Sequence, residues 1–157
     1  MNEAVIRTFS EQETVAFGEW LGKRAVDQLF IALSGDLGAG KTHFVQGLAK
    51  GMGIDETVTS PTFTILNCYE GRLPLKHFDF YRLDTEDELY NIGWDEYSTG
   101  GVTVAEWANL FPRVIPEESI LIDIKYSNET EREFHISGGE KAPLSVMKEI
   151  LEYASGH

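Results

Sequence analysis

The chain holds a single cysteine, Cys68. An internal disulfide is therefore excluded, and the composition fits a reducing compartment. Cys68 itself reads as a small residue in a strand rather than a reactive thiol. Basic residues are also scarce. Thirteen Lys and Arg stand against 26 Asp and Glu, a formal net charge of −13. A free-standing nucleic-acid binder presents a basic face, so any contact with RNA is expected to run through a partner. Long apolar runs are missing, and none approaches the ~18–20 residues that span a bilayer as a helix. Met1-Asn2-Glu3-Ala4 lacks the basic-then-apolar pattern of a secretory signal, and the expected location is cytoplasmic. No repeat or low-complexity tract is present. The 157 residues read as one domain, 1–157, long enough to bury a core.

What is there begins with a phosphate loop. The apolar run Leu29 to Ser34 enters Gly35-Asp36-Leu37-Gly38-Ala39-Gly40-Lys41-Thr42, and a helical pattern follows through Phe44, Val45, Leu48 and Ala49. This is G-x-x-x-x-G-K-[ST] in its strand–loop–helix setting. Successive backbone N–H groups and a helix N-terminus make a concave anion site. Gly35, Gly38 and Gly40 allow the backbone to approach phosphate oxygens where a Cβ would obstruct. Lys41 is placed to reach the β- and γ-phosphates, and the Thr42 hydroxyl to ligate Mg²⁺.

Around this loop the pattern alternates strands and helices. Ala4 to Phe9 reads as a strand. Ser10 and Glu13 read as a capping box for a helix carrying Val15, Phe17, Trp20, Leu21 and Ala25. Glu11, at its start, could flank a nucleotide. Thr57 to Phe63, interrupted by Pro61, cannot continue a helix. It lies where many P-loop proteins place a nucleotide sensor, with Ser60 and Thr62 as its hydroxyls. Phe63 to Tyr69 and Leu75 to Tyr81 read as a hairpin. In its second strand Asp79 interrupts apolar residues, which is costly unless the acid is paired or metal-bound. His77 shares its face at period 2, so the two could form a hydrogen-bonded pair. Thr85 and Glu88 form a second capping-box pattern. Val102 to Trp107 is an apolar strand closing on Glu106. A carboxylate at such a tip is the expected metal-linked acid of a P-loop protein. Strands are also expected over Ile120 to Tyr126 and Arg132 to Ser137, and a helix over Pro143 to Tyr153. Arg132 suits a nucleotide contact, although an ordinary surface Arg is the default reading.

With these residues assembled, the chain resembles the TsaE (YjeE) family, the ATPase subunit of bacterial tRNA threonylcarbamoyladenosine synthesis. The motifs that carry the resemblance are Gly35 to Thr42, Ser60-Pro61-Thr62-Phe63-Thr64, His77-Phe78-Asp79-Phe80-Tyr81-Arg82-Leu83 and Glu106-Trp107. The resemblance implies a P-loop three-layer α/β sandwich whose sheet mixes parallel and antiparallel strands. It implies binding of ATP and Mg²⁺ and slow hydrolysis, chiefly in a complex with the threonylcarbamoyl transferase and its inactive paralogue (TsaD and TsaB type). The product is the modified adenosine at position 37 of tRNAs reading ANN codons. The tRNA is met only through partners, and no membrane is involved. Residue by residue, Asp36 to His43 line the nucleotide, Lys41, Asp79 and Glu106 are the catalytic group, and Thr42 and Glu106 hold the metal. Trp107 is the companion of Glu106, Glu11 and Arg132 are looser nucleotide matches, and Ser60 and Thr62 are switch-like. His43 departs from the family, which commonly has a second Thr there. Two rivals are a small-molecule kinase and a binding switch in which hydrolysis only releases partners. The absence of arginine from His43 to Gly71 speaks against a kinase lid.

Overall fold

A computed structural model describes residues 2–35, 41–58, 66–81 and 83–156. The loop residues Asp36, Leu37, Gly38, Ala39 and Gly40 and the switch residues Ser60 and Thr62 lie outside these described residues.

The elements run β1 (Asn2–Thr8), α1 (Glu11–Arg24), β2 (Leu29–Gly35), α2 (Lys41–Gly51), β3 (Leu66–Tyr69), β4 (Leu75–Asp79), α3 (Glu86–Asn91), α4 (Trp94–Tyr97), β5 (Val102–Glu106), β6 (Ile120–Tyr126), β7 (Arg132–Gly138) and α5 (Leu144–Ser155). Two 3₁₀ turns, Ala108–Leu110 and Pro112–Val114, follow β5. Ser10 caps α1 as its sequence predicts: its backbone is extended and its Oγ accepts the Glu13 N–H at 3.1 Å. The second box does not close. Thr85 makes no side-chain cap, and the Glu88 carboxylate reaches one residue further back, accepting from the Asp84 N–H at 3.2 Å.

The seven strands form one mixed sheet in the order β1-β7-β6-β2-β5-β4-β3. β2 lies at the centre, parallel to both β5 and β6, and β4 is parallel to β5. The hairpins β3–β4 and β6–β7, and the β1–β7 edge, are antiparallel. The expected mixed α/β sheet is thus present. Chain order reverses on either side of β2, and the carboxyl ends of strands around such a point form a ligand crevice.

One face of the sheet packs Ile31, Leu33, Val104, Ile122 and Phe134 against α1, α2 and α5. The other packs Phe30, Phe78, Phe80 and Trp94 under the short helices. On that second face the β6–β7–β1 end carries a groove of about 1170 Å³, lined by Leu121, Asp123, Val5, His135 and Trp107 among others. On the first face α1 and α2 meet backbone to backbone. A Cβ added to Gly18 would run into the Phe44 carbonyl, to Gly22 into that of Leu48, to Gly47 into that of Val15, and to Gly51 into that of Glu19. Only glycine allows this approach, and it fixes α2 to α1 along its length. Cys68 sits exposed on edge strand β3. Burial of part of its thiol raises its pKa, which disfavours the reactive thiolate.

Candidate functional site

β2 runs buried to Leu33, and its last residue, Gly35, delivers the chain to the phosphate loop. α2 opens on Lys41, whose side chain is buried at the carboxyl edge of the sheet. Its Nζ donates to the Gly35 carbonyl and stands 4.0 Å over the Trp107 ring. That indole is delivered by an unusual backbone. Trp107 has φ +59°, a left-handed conformation that costs a non-glycine residue about 1–3 kcal/mol. The turn sends the chain sideways directly after Glu106 and lays the ring across Lys41. Tyr81 flanks it, with ring centroids 4.9 Å apart. Trp107 is thereby assigned to the site as well as to the margin of the second core.

Parallel register sets the two acids side by side. Asp79 of β4 is the partner of Glu106 of β5, and each is the last residue of its strand. The strand expected to run to Tyr81 stops at Asp79 for a local reason. Asp79 Oδ1 accepts the Tyr81 N–H at 2.9 Å, an Asx-type turn that diverts the backbone from extended pairing. The Asp79 carboxyl is half-buried and its pKa is raised, first by burial. The Tyr81 N–H opposes the rise, the neighbouring Glu106 adds to it, and the Lys41 charge opposes it.

Glu106 is 4% exposed. Its Oε2 is bonded to Nε2 of His77, itself fully buried. The suggested His77–Asp79 pair is therefore corrected. His77 is paired in register with Val104, two residues before Glu106, on the neighbouring strand. The imidazole takes the deeper, dry carboxylate, while Asp79 is satisfied by its own turn.

The looser candidates divide. Glu11, the first residue of α1, has its Oε2 3.7 Å from Nε2 of His43 on α2. His43, the position departing from the family pattern, thus faces Glu11. Arg132 lies at the same end of the sheet, opening β7. Its guanidinium donates to the Asn128 carbonyl at 2.7 Å and the Glu131 carbonyl at 3.0 Å, and it lies 4.6 Å over the Tyr126 ring. These contacts hold its own hairpin. Tyr81 is the residue that the motif reading named without giving it a role. Its place two residues after an acid, inside a quoted motif, is the signal that was available.

The donors available to a metal here are oxygens: the Thr42 hydroxyl at the start of α2 and the Glu106 carboxylate at the tip of β5. Among the described residues no group of three His, Cys, Asp or Glu is arranged around one point. Such a sparse, all-oxygen set fits Mg²⁺, which keeps most of its shell as water and phosphate. It does not fit zinc. Among the described residues no helix is long and apolar enough to cross a membrane.

Comparison with known proteins agrees with this geometry. The family profile described as "Threonylcarbamoyl adenosine biosynthesis protein TsaE" matches residues 8–134. The tRNA threonylcarbamoyladenosine biosynthesis protein TsaE of Bacillus subtilis (strain 168) is 44% identical over 135 residues, covering 85% of this chain and 84% of the relative. Its counterpart in Treponema pallidum (strain Nichols) is 40% identical over 129 residues, covering 82% and 96%. The crystal structure of Bacillus subtilis YdiB superposes with a TM-score of 0.76 at 32% identity, over 97% of this chain and 96% of that one. A phosphate-loop lysine, paired acids at adjacent strand tips, a matching profile and a matching fold agree: this chain belongs to the TsaE family of threonylcarbamoyl adenosine biosynthesis proteins.

Proposed function

We propose that this chain binds ATP with Mg²⁺, hydrolyses it slowly, and thereby supports threonylcarbamoyladenosine formation at position 37 of tRNAs reading ANN codons. It acts in a complex with the threonylcarbamoyl transferase and its inactive paralogue. The observation that carries this reading is the convergence of Lys41, Asp79 and Glu106 at the carboxyl ends of β2, β4 and β5. Family membership supplies the tRNA modification, and the net charge of −13 supports contact with tRNA through partners rather than directly.

In this reading Lys41 exchanges its contacts with the Gly35 carbonyl and the Trp107 face for the β- and γ-phosphates. The loop amides of Asp36 to His43 surround the phosphates, with Glu11 and Arg132 at the rim of the nucleotide site. Mg²⁺, held by Thr42 and Glu106, would neutralise charge developing on the phosphates. Asp79 is the acid that faces the attacking water. It is less buried than Glu106 and its raised pKa suits an acid that takes up a proton. Ser60 and Thr62 sense the γ-phosphate.

The test measures ATP affinity and hydrolysis with and without the two partner proteins, for the native chain and Lys41→Ala. Mg²⁺-dependent binding, hydrolysis raised by the partners, and loss of both in Lys41→Ala are expected. Hydrolysis that is untouched by Lys41→Ala, or that depends on a metabolite instead of the partners, overturns the reading.

A further inference from the structure

His77 is a fully buried histidine to which the mechanism above gives no part. Its two ring nitrogens differ sharply. Nε2 is bonded to Glu106 Oε2, while Nδ1 is buried with no hydrogen-bond partner among the described residues. Burying an N–H without an acceptor costs the full desolvation of that donor, about 1–3 kcal/mol, and a neutral imidazole has one ring nitrogen that carries no proton. The bare nitrogen is therefore Nδ1, and Nε2 carries the hydrogen and donates it to the carboxylate. His77 is also the sole hydrogen-bond partner of the Glu106 carboxylate among the described residues. One donor on one oxygen fixes the rotation of the carboxylate and leaves Oε1 as its uncommitted face.

Resting on the reading of Glu106 as the Mg²⁺ acid, we infer that His77 is a positioning residue for the metal. Its Nε2–H holds Oε2 so that Oε1 is presented toward the Thr42 side of the site. It touches neither nucleotide nor metal and acts through Glu106. The arrangement is the one by which outer-shell hydrogen bonds orient metal-ligating side chains, and removing such a partner typically lowers metal affinity about 10–100-fold. The β4–β5 register supports this geometry. His77 stands opposite Val104, so its ring lies diagonal to Glu106 and reaches it within the sheet face. Phe78, the next residue, points into the opposite core and anchors the strand.

The test uses the whole chain with His77→Phe, which keeps an aromatic ring but no donor, and His77→Gln, whose Nε2 donates at similar reach. ATP affinity is measured by calorimetry in EDTA and across a Mg²⁺ titration. His77→Phe is expected to need roughly 10–100-fold more Mg²⁺ for half-maximal tightening, with affinity in EDTA unchanged, and His77→Gln to recover most of the loss. Equal Mg²⁺ midpoints in all three proteins, or equal loss in both variants with and without Mg²⁺, overturn the inference. Ring ¹⁵N spectra of the native protein give a second measurement that needs no variant to fold. A protonated Nε2 and bare Nδ1, with the Nε2–H signal moving when Mg²⁺ joins bound ATP, support it. The opposite tautomer, or a signal indifferent to Mg²⁺, overturns it. Native protein whose ATP affinity ignores Mg²⁺ would instead defeat the metal reading of Glu106, while the tautomer is read without nucleotide.

Discussion

Two histidine–glutamate pairs stand at the same end of the sheet. His77 and Glu106 have side chains 0% and 5% exposed and are in hydrogen-bond contact. His43 and Glu11 are 41% and 73% exposed, with 3.7 Å between nitrogen and oxygen. The residue types are the same and only the surroundings differ. In water the two partners of an exposed pair are each well solvated, and the pair is worth about 0–1 kcal/mol. In a dry site neither partner has a substitute for the other, so breaking the pair strands a buried group, at about 1–3 kcal/mol for the neutral imidazole N–H and about 3–5 kcal/mol for the carboxylate. The buried pair therefore specifies a geometry, whereas the exposed one is free to rearrange around a ligand.

The largest break in this comparison is Glu106→Ala. It should lower stability by about 1–3 kcal/mol, because the neutral His77 Nε2–H loses its acceptor in a sealed site; urea denaturation measures this. If Glu106 holds the metal as proposed, ATP hydrolysis with the proposed partners should fall roughly 10²–10³-fold. Asp79→Asn, one strand away, separates catalysis from stability. Hydrolysis should fall about 10²-fold, while the amide oxygen still accepts the Tyr81 N–H. The folded protein holds the Asp79 proton more tightly than the unfolded chain does. Ionisation of Asp79 therefore opposes folding, and its penalty grows as pH rises from the ordinary carboxylate range through the raised native pKa. Asp79→Asn should melt slightly above the native chain at neutral pH, and the gap should close in acid. Thermal melts across pH check the sign, and a gap that widens in acid would contradict it.

Trp107→Ala comes next. It removes the ring beneath the Lys41 ammonium, a contact worth about 0.5–2 kcal/mol, and hydrolysis should fall by roughly tenfold or less. The smallest effect is expected at the exposed pair. His43→Thr should leave stability within about 0.5 kcal/mol and ATP affinity near that of the native chain. A large loss there would show that His43 and Glu11 work as a coupled unit, and would collapse the distinction drawn above.

How legible this was depends on the distance in sequence over which each feature is decided. The strand before and the helix after the glycine-rich motif, the Ser10 cap and the acid ending β5 are local patterns, readable from a few consecutive residues. The mixed sheet was implied by the family resemblance, and these local patterns alone do not fix which strands pair. The partner of His77 was not readable in this way. Period 2 placed it with Asp79, but the choice between Asp79 and Glu106 is made by the pairing of β4 with β5, strands separated by two helices. The Asx turn at Asp79 was compatible with the sequence but not required by it, since an acid flanked by aromatics also suits a strand interior. The left-handed backbone at Trp107 runs against its residue type, so propensity argued the wrong way. Local rules of this kind fail most at functional sites, where strain is retained for the geometry it gives.

The glycine contact between α1 and α2 has a mechanical consequence. With Gly18 and Gly22 set against α2, and Gly47 and Gly51 against α1, neither helix can slide past the other without backbone collision. Glu11, Lys41, Thr42 and His43 therefore travel on a single rigid carriage. Arrival of a nucleotide is not expected to tilt one helix against the other, and among the described residues the response is expected in the turns after β4 and β5, where Tyr81 and Trp107 sit. Hydrogen exchange can read this division. Amides from Val15 to Gly22 and from Phe44 to Gly51 should open together and slowly, at rates indifferent to ATP. Those following Asp79 and Glu106 should change when it binds.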